Sequence, residues 1–224
     1  MIQLRCYYDD LADYLKYGHK ENEEIERIAK ALLMFLKNKD EYSFYHSIRV
    51  GQYAMMISYQ LNLDLQAVYQ SYISGLLHDI GKIYVPDSIL LKNGPLTGEE
   101  YTVIKDHPIA SESICKPIPT LKSFLPVIRA HHERFDGNGY PDNLAGKDIP
   151  LLARIVSVAD ALDAMTSDRP YQKCMPLKKA KFILRNGAGT QWDDSIVDIA
   201  LNIFLNRETD SMIPIIPDSY NYWL

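Results

Sequence analysis

Cysteine is scarce in this sequence, and the spacing of the few cysteines excludes two kinds of structure. The 224-residue chain has three of them, Cys6, Cys115 and Cys174, and no two form a CxxC pair. A disulfide framework requires more cysteines, and a thiolate zinc site requires closely spaced ones. We therefore expect reduced cysteines with structural roles, in a chain that is long enough to bury a substantial core.

Long apolar runs and an excess of positive charge are missing as well. No run approaches the roughly 18 apolar residues that span a bilayer, and the N-terminal stretch MIQLRCYYDD lacks the basic start and apolar core of a signal peptide. The formal net charge is -5, so the overall field repels a nucleic acid polymer rather than collecting it. These absences predict a cytoplasmic protein without a membrane span, and they allow a small anionic ligand.

Alternation of apolar and polar residues, the pattern of strands, is also scarce, whereas helical spacing is common. Thr97 followed by Glu100 predicts a capping box, Pro108 predicts a kink or break, and Gly187 predicts a helix end. The predicted helices cover residues 20–37, about 40–60 with Asp40 or Ser43 as the cap, 68–81, 97–104, 120–133, 151–167, 178–185 and 194–206.

The helical pattern predicts one all-α domain at residues 20–206. A short N-terminal extension at 1–19 precedes it, and a C-terminal tail at 207–224 follows. Prolines interrupt the tail, yet it is rich in aromatic residues, so we expect it to pack on the domain or on a partner chain.

The histidines are the most informative residue type. Several stand beside carboxylates or one another, as in HD at 78–79, DH at 106–107 and HHE at 131–133. A lone histidine on an apolar helix face, such as His46 taken alone, is more often a core residue than a ligand. A set of histidines at helix ends with carboxylate neighbours favours a metal site.

Two aspartates fall where burial is expected. Asp79 follows His78 at the end of the apolar helix LLHDIGK, and Asp160 lies within the apolar segment SVADALDAM. Burying a carboxylate without a counter-charge costs several kcal/mol, and a buried imidazole also needs a partner. A metal cation would satisfy both groups, so the sequence predicts one beside these residues.

The predicted ligand types restrict the metal and suggest how many ions are bound. Imidazole with carboxylate, without thiolate, suits Fe, Mn, Zn or Ni better than Mg or Ca. Five histidines and two aspartates are too many for one octahedral ion that keeps a water, so two ions bridged by Asp79 fit better. Two ions roughly 3.5 to 4 Å apart can hold a hydroxide and clamp a phosphoryl group. Neither a GxSxG turn nor a Cys-His signature offers another nucleophile.

Six segments along the chain together resemble one known family. They are HSIRV at 46–50, HDIGK at 78–82, DHP at 106–108, HHERFDGNGYP at 131–141, SVADALDAMTSDRPY at 157–171 and AGTQWD at 188–193. The sequence resembles the HD-GYP family of cyclic di-GMP phosphodiesterases, a branch of the HD superfamily of metal-dependent phosphohydrolases. HD alone is a weak motif, whereas HHExxDGxGYP is highly specific. The resemblance covers nearly the whole predicted domain and implies a helical HD-type fold.

The resemblance implies a binuclear centre that contains two divalent ions, Fe or Mn. One ion would be held by His46, His78, Asp79 and Asp160. The other would be held by Asp79, His107, His131 and His132. The implied reaction is hydrolysis of cyclic di-GMP to linear pGpG, with further hydrolysis to GMP left open, by a hydroxide that bridges the metals.

Substrate contacts are implied in the same way. Lys82 and Arg169 would contact substrate phosphates and stabilise the charge that develops on them, which makes Lys82 a catalytic residue together with Asp79. Tyr140 of the GYP loop either contributes to the substrate pocket or only stiffens the loop. Its neighbour Gly139 is expected, like Gly137, to adopt backbone angles that other residues avoid.

Some positions depart from the family pattern or have no assignment in it. Ser111 replaces the glycine of HPxxG in many relatives, which puts local packing in question. Tyr42, one turn before His46, stands where some relatives carry a Glu that supports a third metal, and a neutral phenol is a poor ligand at pH 7. Two metals are therefore expected, and relatives of that form tend to stop at pGpG. Arg134 and Lys147 are expected to be surface charges.

Two other functions stay open. One is an HD phosphohydrolase that acts on another nucleotide, such as a different cyclic dinucleotide. The other is a binding module that has lost catalysis and signals through cyclic di-GMP. The sequence shows no receiver or other sensory domain, so the regulator is a separate protein or the sequence is a fragment, and a homodimer is an alternative arrangement.

Overall fold

The computed structural model describes residues 20–168 and 173–205, and within these ranges the fold is helical, as predicted. The α-helices are α1 (Lys20–Lys39), α2 (Glu41–Gln60), α3 (Leu65–Leu77), α4 (Asp87–Leu90), α5 (Gly98–Lys105), α6 (His107–Cys115), α7 (Leu125–Ala130), α8 (Leu151–Thr166), α9 (Leu177–Gly187) and α10 (Asp194–Ala200). Short 3-10 helices lie at Ile80–Tyr84, Pro119–Phe124 and Gly146–Asp148, and a π-helical turn covers Leu201–Leu205. The proposed extension at 1–19 and tail at 207–224 lie outside the described residues.

Side-chain caps begin the helices where the sequence suggested. Of the two candidates for α2, Asp40 is the cap, because its carboxylate accepts hydrogen bonds from the backbone N–H groups of Tyr42 at 3.2 Å and Ser43 at 3.1 Å. The predicted capping box of Thr97 and Glu100 is present at the start of α5. Such caps satisfy N–H groups that have no partner within the helix, and each is worth about 1 kcal/mol.

Prolines divide the helical segments. The break predicted at Pro108 is confirmed: α5 ends at Lys105, and α6 begins at His107 with Pro108 in its first turn, where its missing N–H is not needed. The single helix expected at 120–133 is wrong. Pro126 lies in the first turn of α7, and a 3-10 helix precedes α7. Helix α7 itself ends at Ala130.

Helices α2, α3 and α8 pack together at the centre of the core. Fully buried residues there include Ile57, Leu76 and Val158. The backbones of α2 and α3 meet at Gly51 and Gly75, where a Cβ added to Gly75 would lie 2.6 Å from the Gly51 Cα. This close crossing brings the His46 region of α2 beside the end of α3.

Across the described ranges, strand pairing is limited to one bridge between Ala188 and Trp192. In the same residues we find no helix that is both long and apolar enough to cross a membrane.

Candidate metal centre

All seven side chains that were predicted as metal ligands lie around one cleft, although they come from distant parts of the chain. His46 lies on α2, His78 and Asp79 follow α3, His107 begins α6, His131 and His132 follow α7, and Asp160 lies on α8. Most of these positions are helix ends, where a side chain can point along the helix axis into a shared space. The positions of these histidines at helix ends thus have a structural explanation.

Asp79 lies between two groups of candidate donor atoms. One group is His46, His78 and Asp79 itself, the other is His107, His131 and His132, and within each group the atoms lie within 4.8 Å of one another. Asp79 Oδ2 is 3.3 Å from His78 Nε2 and 3.6 Å from His46 Nε2. Asp79 Oδ1 is 3.1 Å from His107 Nε2. The two carboxylate oxygens therefore face different histidine groups, as a bridging ligand requires.

Backbone carbonyls orient three of the imidazoles in the same way. The Nδ1 atoms of His78, His107 and His131 each lie 2.7 Å from the carbonyl oxygen three residues earlier, on Gly75, Ile104 and Ile128. A carbonyl only accepts, so Nδ1 carries the hydrogen and Nε2 of the neutral ring carries the lone pair. This second contact is typical of metal-binding histidines.

Lone pairs of the histidine Nε2 atoms face one another with no hydrogen between them, and this arrangement fits a cation. His107 Nε2 and His131 Nε2 are 3.2 Å apart, although both rings already donate from Nδ1. His78 Nε2 and Asp79 Oδ1 are buried and have no hydrogen-bond partner. Converging buried acceptors are costly unless a positive charge joins them. The residues therefore fit a metal centre, and the two groups would hold it.

Burial keeps His131 and His132 neutral, which is the form that binds metals. Burial lowers the pKa of His131 well below its usual range, and the neighbouring His132 lowers it further. Burial, with a contribution from His107, lowers the pKa of His132 to about 3. Both rings therefore offer lone pairs throughout the physiological pH range.

His46 has a carboxylate at each ring nitrogen, and one of these carboxylates was not anticipated from the sequence. Its Nε2 is 3.2 Å from Asp160 Oδ1, and its Nδ1 is 2.7 Å from Asp163 Oδ2. Burial lowers the pKa of His46, but the two carboxylates outweigh burial and raise it to about 9. Asp163 also accepts from Arg49 Nε at 2.6 Å. Its position three residues after Asp160, inside the same apolar segment, was the available sequence signal.

Ser111 tightens the site instead of loosening it. Its hydroxyl donates to the His78 carbonyl oxygen at 2.7 Å and accepts from the Gly81 N–H at 2.8 Å. Gly81 has no room for a side chain, since its Cβ would lie 2.2 Å from the His107 carbonyl oxygen. The departure from the family glycine thus joins the turn after α3 to the start of α6, which positions Asp79 and His107 relative to each other.

The turn after α3 also places the predicted phosphate contact. Lys82 Nζ donates to Asp79 Oδ2 at 2.5 Å, and the lysine lines the cleft. Lys82 and burial act in opposite directions on Asp79: burial raises the pKa of that carboxyl, whereas His78 and Lys82 lower it, and the net direction is well below the usual range. Arg169, the other predicted phosphate contact, lies outside the described residues.

The glycines of the GYP loop are required for two different reasons. Gly137 adopts φ +78°, the left-handed conformation expected for it. For Gly139 the expectation of an unusual backbone angle is wrong. It is required because the loop folds back on itself: a Cβ there would lie 2.3 Å from the Arg134 backbone nitrogen. The ring of the following residue, Tyr140, stacks on His132 with centroids 4.9 Å apart.

Two sets of contacts hold this loop in place. The buried Glu133 accepts from the backbone N–H groups of Asp142 at 2.6 Å and Leu144 at 3.1 Å. The N–H groups of Phe135 and Asp136 donate to the carbonyl oxygens of residues 191 and 190. The AGTQWD segment therefore supports the rim of the cleft from behind.

The cleft above the candidate ligands has a volume of about 440 Å³. It is lined by Tyr42, His46, Asp79, Lys82, Tyr101, Ile104, Lys105, His107, His132, Arg134, Asn138, Tyr140, Asp160, Ala164 and Gln191. Arg134 therefore faces the cleft, contrary to its assignment as a surface charge, whereas Lys147 is exposed and outside it. The sequence analysis did not identify Lys105 and Tyr101, because no local sequence signal indicates that α5 lies beside the GYP loop.

The fold and the histidine-aspartate cluster define a helical domain with a candidate metal centre. A family model for the HD domain matches residues 30–196, which is most of the chain. The chain belongs to the HD domain family, whose members are metal-dependent, and this confirms the predicted resemblance.

Curated relatives extend the match. A cyclic di-GMP phosphodiesterase of Pseudomonas aeruginosa is 44% identical over 144 residues, covering 63% of this chain and 34% of the relative. RpfG, a cyclic di-GMP phosphodiesterase response regulator of Xanthomonas campestris pv. campestris, is 36% identical over 195 residues, covering 85% of this chain and 50% of the relative. The 3'3'-cGAMP-specific phosphodiesterase 1 of Vibrio cholerae is 33% identical over 178 residues, covering 79% of this chain and 41% of the relative. This chain thus spans half or less of these relatives.

Solved structures show the same fold at low identity. An HDG"Y"P protein of Bdellovibrio bacteriovorus matches 89% of this chain and 69% of its own with a TM-score of 0.62 and 19% identity. A cyclic GMP-AMP specific phosphodiesterase of Vibrio cholerae matches 80% of this chain and 48% of its own with a TM-score of 0.61 and 17% identity. At these identities the likeness supports the fold alone.

Proposed function

We propose that this chain is a metal-dependent phosphodiesterase that hydrolyses cyclic di-GMP to linear pGpG. The observation that carries the proposal is Asp79, which lies between two groups of histidines with one oxygen toward each. Several relatives are named cyclic di-GMP phosphodiesterases, which supports this substrate. The chain spans half or less of those relatives, and we propose that this part carries the phosphodiesterase activity.

We propose two divalent ions, Fe or Mn, at the centre. When bound, such ions lower the pKa of water from about 15.7 to about 7 and so supply a nucleophile at neutral pH. The two histidine groups and the shared Asp79 support the number two. Tyr42 supports it as well, because its ring stacks on His46 with centroids 5.9 Å apart and the phenol occupies the position where a third-metal carboxylate would be needed.

The protein side chains have distinct roles in the proposed reaction. His131 and His132 offer neutral nitrogens because burial holds their pKa values low. Lys82, beside Asp79 in the cleft, would bind the phosphate that is cleaved and stabilise its developing charge. Arg169 would contact another phosphate of the substrate, and Tyr140 would contact the substrate from the rim.

The direct test is turnover by the purified protein, reconstituted with Fe(II) or Mn(II) under anaerobic, reducing conditions. We expect conversion of cyclic di-GMP to pGpG, accumulation of pGpG as the main product, and two metal ions per chain by mass spectrometry of the metals. A chelated sample should be inactive. Three ions per chain, or rapid conversion to GMP, would show that the two-metal assignment is wrong. Tight binding of cyclic di-GMP without turnover under any metal would show a binding module instead.

A second candidate substrate is 3'3'-cGAMP, because relatives from Vibrio cholerae are named as specific for it. The two cyclic dinucleotides share the phosphodiester linkage and differ in one base. A panel of cyclic di-GMP, 3'3'-cGAMP and cyclic di-AMP at equal concentration separates them by the ratio of kcat/KM. A preference for 3'3'-cGAMP would retain the enzyme class and change the substrate.

Lys82 and Arg169 give a test of the phosphate contacts. Lys82→Ala and Arg169→Ala should each lower kcat/KM roughly 10- to 100-fold, since a hydrogen bond to a charged group is worth about 1.5 to 3 kcal/mol. Metal content should stay at the wild-type value. Lys147→Ala, an exposed lysine outside the cleft, is the matched control and should be unchanged. Loss of metal in either test variant would show that the role was misassigned.

A further inference from the structure

Lys105, in the last turn of α5, is a cation of the cleft whose charge no carboxylate of the described residues balances. The other described cations that line the cleft, Lys82 and Arg134, each donate to an aspartate, at 2.5 and 2.6 Å. Lys105 forms no ion pair with the residues of 20–168 and 173–205. Its Nζ instead lies 4.8 Å from the ring centroid of Tyr140 and 5.9 Å from that of Tyr101. Aromatic faces attract a cation without neutralising it, so Lys105 can still bind an anion.

Tyr101 extends this arrangement toward solvent. It lies one helical turn before Lys105 on the same face of α5, and its side chain is 51% exposed although it lines the cleft. Tyr140, which Lys105 contacts, stacks in turn on the candidate ligand His132. From the candidate ligands to the rim of the cleft, the order is thus Tyr140, Lys105 and Tyr101.

The helix that carries the two residues has a capped first turn. The capping box of Thr97 and Glu100 begins α5, and Glu100 also accepts from Lys92 Nζ at 2.6 Å. At the other end of α5, the contact between Lys105 and Tyr140 places the last turn beside the GYP loop.

We propose that Lys105 and Tyr101 form a subsite for the half of the cyclic dinucleotide that is not cleaved, with Lys105 binding its phosphate and Tyr101 stacking on its purine base. The subsite rests on the function proposed above, since it requires a substrate with two phosphates and two bases. Only one phosphodiester can lie at the ligands around Asp79, so the other binds elsewhere in the cleft, where Lys105 would supply positive charge in addition to the contact proposed for Arg169. A half-exposed aromatic ring beside that charge is the partner that a purine prefers.

The test compares Lys105→Met and Tyr101→Leu with matched controls outside the cleft. Lys122→Met and Tyr84→Leu change exposed residues of the same types. Two quantities are measured on metal-loaded protein: the Kd of a non-hydrolysable phosphorothioate analogue of cyclic di-GMP, and kcat/KM for bis(p-nitrophenyl) phosphate, which has one phosphodiester and no base. We expect Kd to rise roughly tenfold in each test variant, from the loss of a charged hydrogen bond or a stacked base, with bis(p-nitrophenyl) phosphate hydrolysis unchanged. The controls should match the wild type.

Conservative replacements distinguish a direct contact with the ligand from an effect of the side chain on packing in the protein. Lys105→Arg should restore most of the binding that Lys105→Met loses, and Tyr101→Phe should bind like the wild type, because the charge and the ring are kept. Equal losses on both substrates would show a disturbed metal centre, and an unchanged Kd would show no contact; either result overturns the subsite. If the wild type hydrolyses bis(p-nitrophenyl) phosphate but neither binds nor cleaves a cyclic dinucleotide, the proposed function itself fails, and the subsite fails with it.

Discussion

Replacing Asp79 with alanine is expected to empty the metal centre and to reduce turnover of cyclic di-GMP to background. Asp79 is the one described side chain with an oxygen toward each histidine group, so its loss removes a ligand from both proposed ions. Without them, the ionisation of water becomes harder by roughly 12 kcal/mol, from a pKa shift of about 9 units at 1.4 kcal/mol each. Metal content per chain and the initial rate of pGpG formation measure the two effects together.

Asp106→Ala is the matched control for this variant. Asp106 is also an aspartate beside a candidate ligand, His107, but its side chain is exposed and does not line the cleft. It should keep two metal ions and wild-type turnover. Circular dichroism and thermal unfolding of both variants show whether the fold is intact. Unchanged turnover in Asp79→Ala would overturn the bridging assignment, whichever metal is used.

The clustering of the proposed ligands could be anticipated from the sequence because each of them carries a local signal. Asp79 and Asp160 follow or interrupt apolar helical segments, where an unpaired carboxylate is costly, and the histidines stand at helix ends. These signals depend on residues a few positions apart in the chain. Helix caps such as Asp40 and Thr97 are equally local, and their prediction is confirmed.

The remaining features depend on which elements pack together, and that information is not local. Gly139 is needed because the loop returns to the Arg134 backbone, which a turn rule based on φ does not reveal. Lys105 faces the cleft because α5 packs beside Tyr140. Ser111 looked like a defect because its two hydrogen-bond partners lie about 30 residues away in sequence. Contacts between distant segments set these positions.

Among the residues whose role depends on contacts between distant segments, Asp163 has the largest functional consequence. Fully buried on α8, it accepts from His46 Nδ1 at 2.7 Å and from Arg49 at 2.6 Å, both on α2. A donated hydrogen at Nδ1 leaves the lone pair of the neutral ring at Nε2, which is the nitrogen that faces Asp79 and Asp160. Asp163 is therefore a positioning residue for the proposed first metal.

Asp163→Asn should weaken Mn(II) binding by about 10- to 100-fold, as expected when the partner of a metal-binding histidine is lost. An amide has one acceptor and one donor group in place of two acceptor oxygens. If the amide oxygen accepts from Arg49, the amide NH2 faces His46 Nδ1 and donates to it. The imidazole then carries its hydrogen on Nε2, and Nε2 has no lone pair for a metal. The free energy of unfolding of the metal-free protein should also fall, by about 2 kcal/mol or more, because a buried charge pair loses one partner.

Ser167→Ala is the control that separates the two effects. Ser167 Oγ donates to the same carboxylate at 2.8 Å, so its loss removes one neutral hydrogen bond and leaves the contact with His46 intact. We expect this variant to lose about 1 kcal/mol of stability or less and to bind Mn(II) like the wild type. Calorimetric titration with Mn(II), urea unfolding and the ¹⁵N shifts of His46 distinguish a change of ring form from a general loosening of the core. An Asp163→Asn variant that keeps wild-type metal affinity and the same His46 shifts would show that Asp163 stabilises the fold without positioning the ligand.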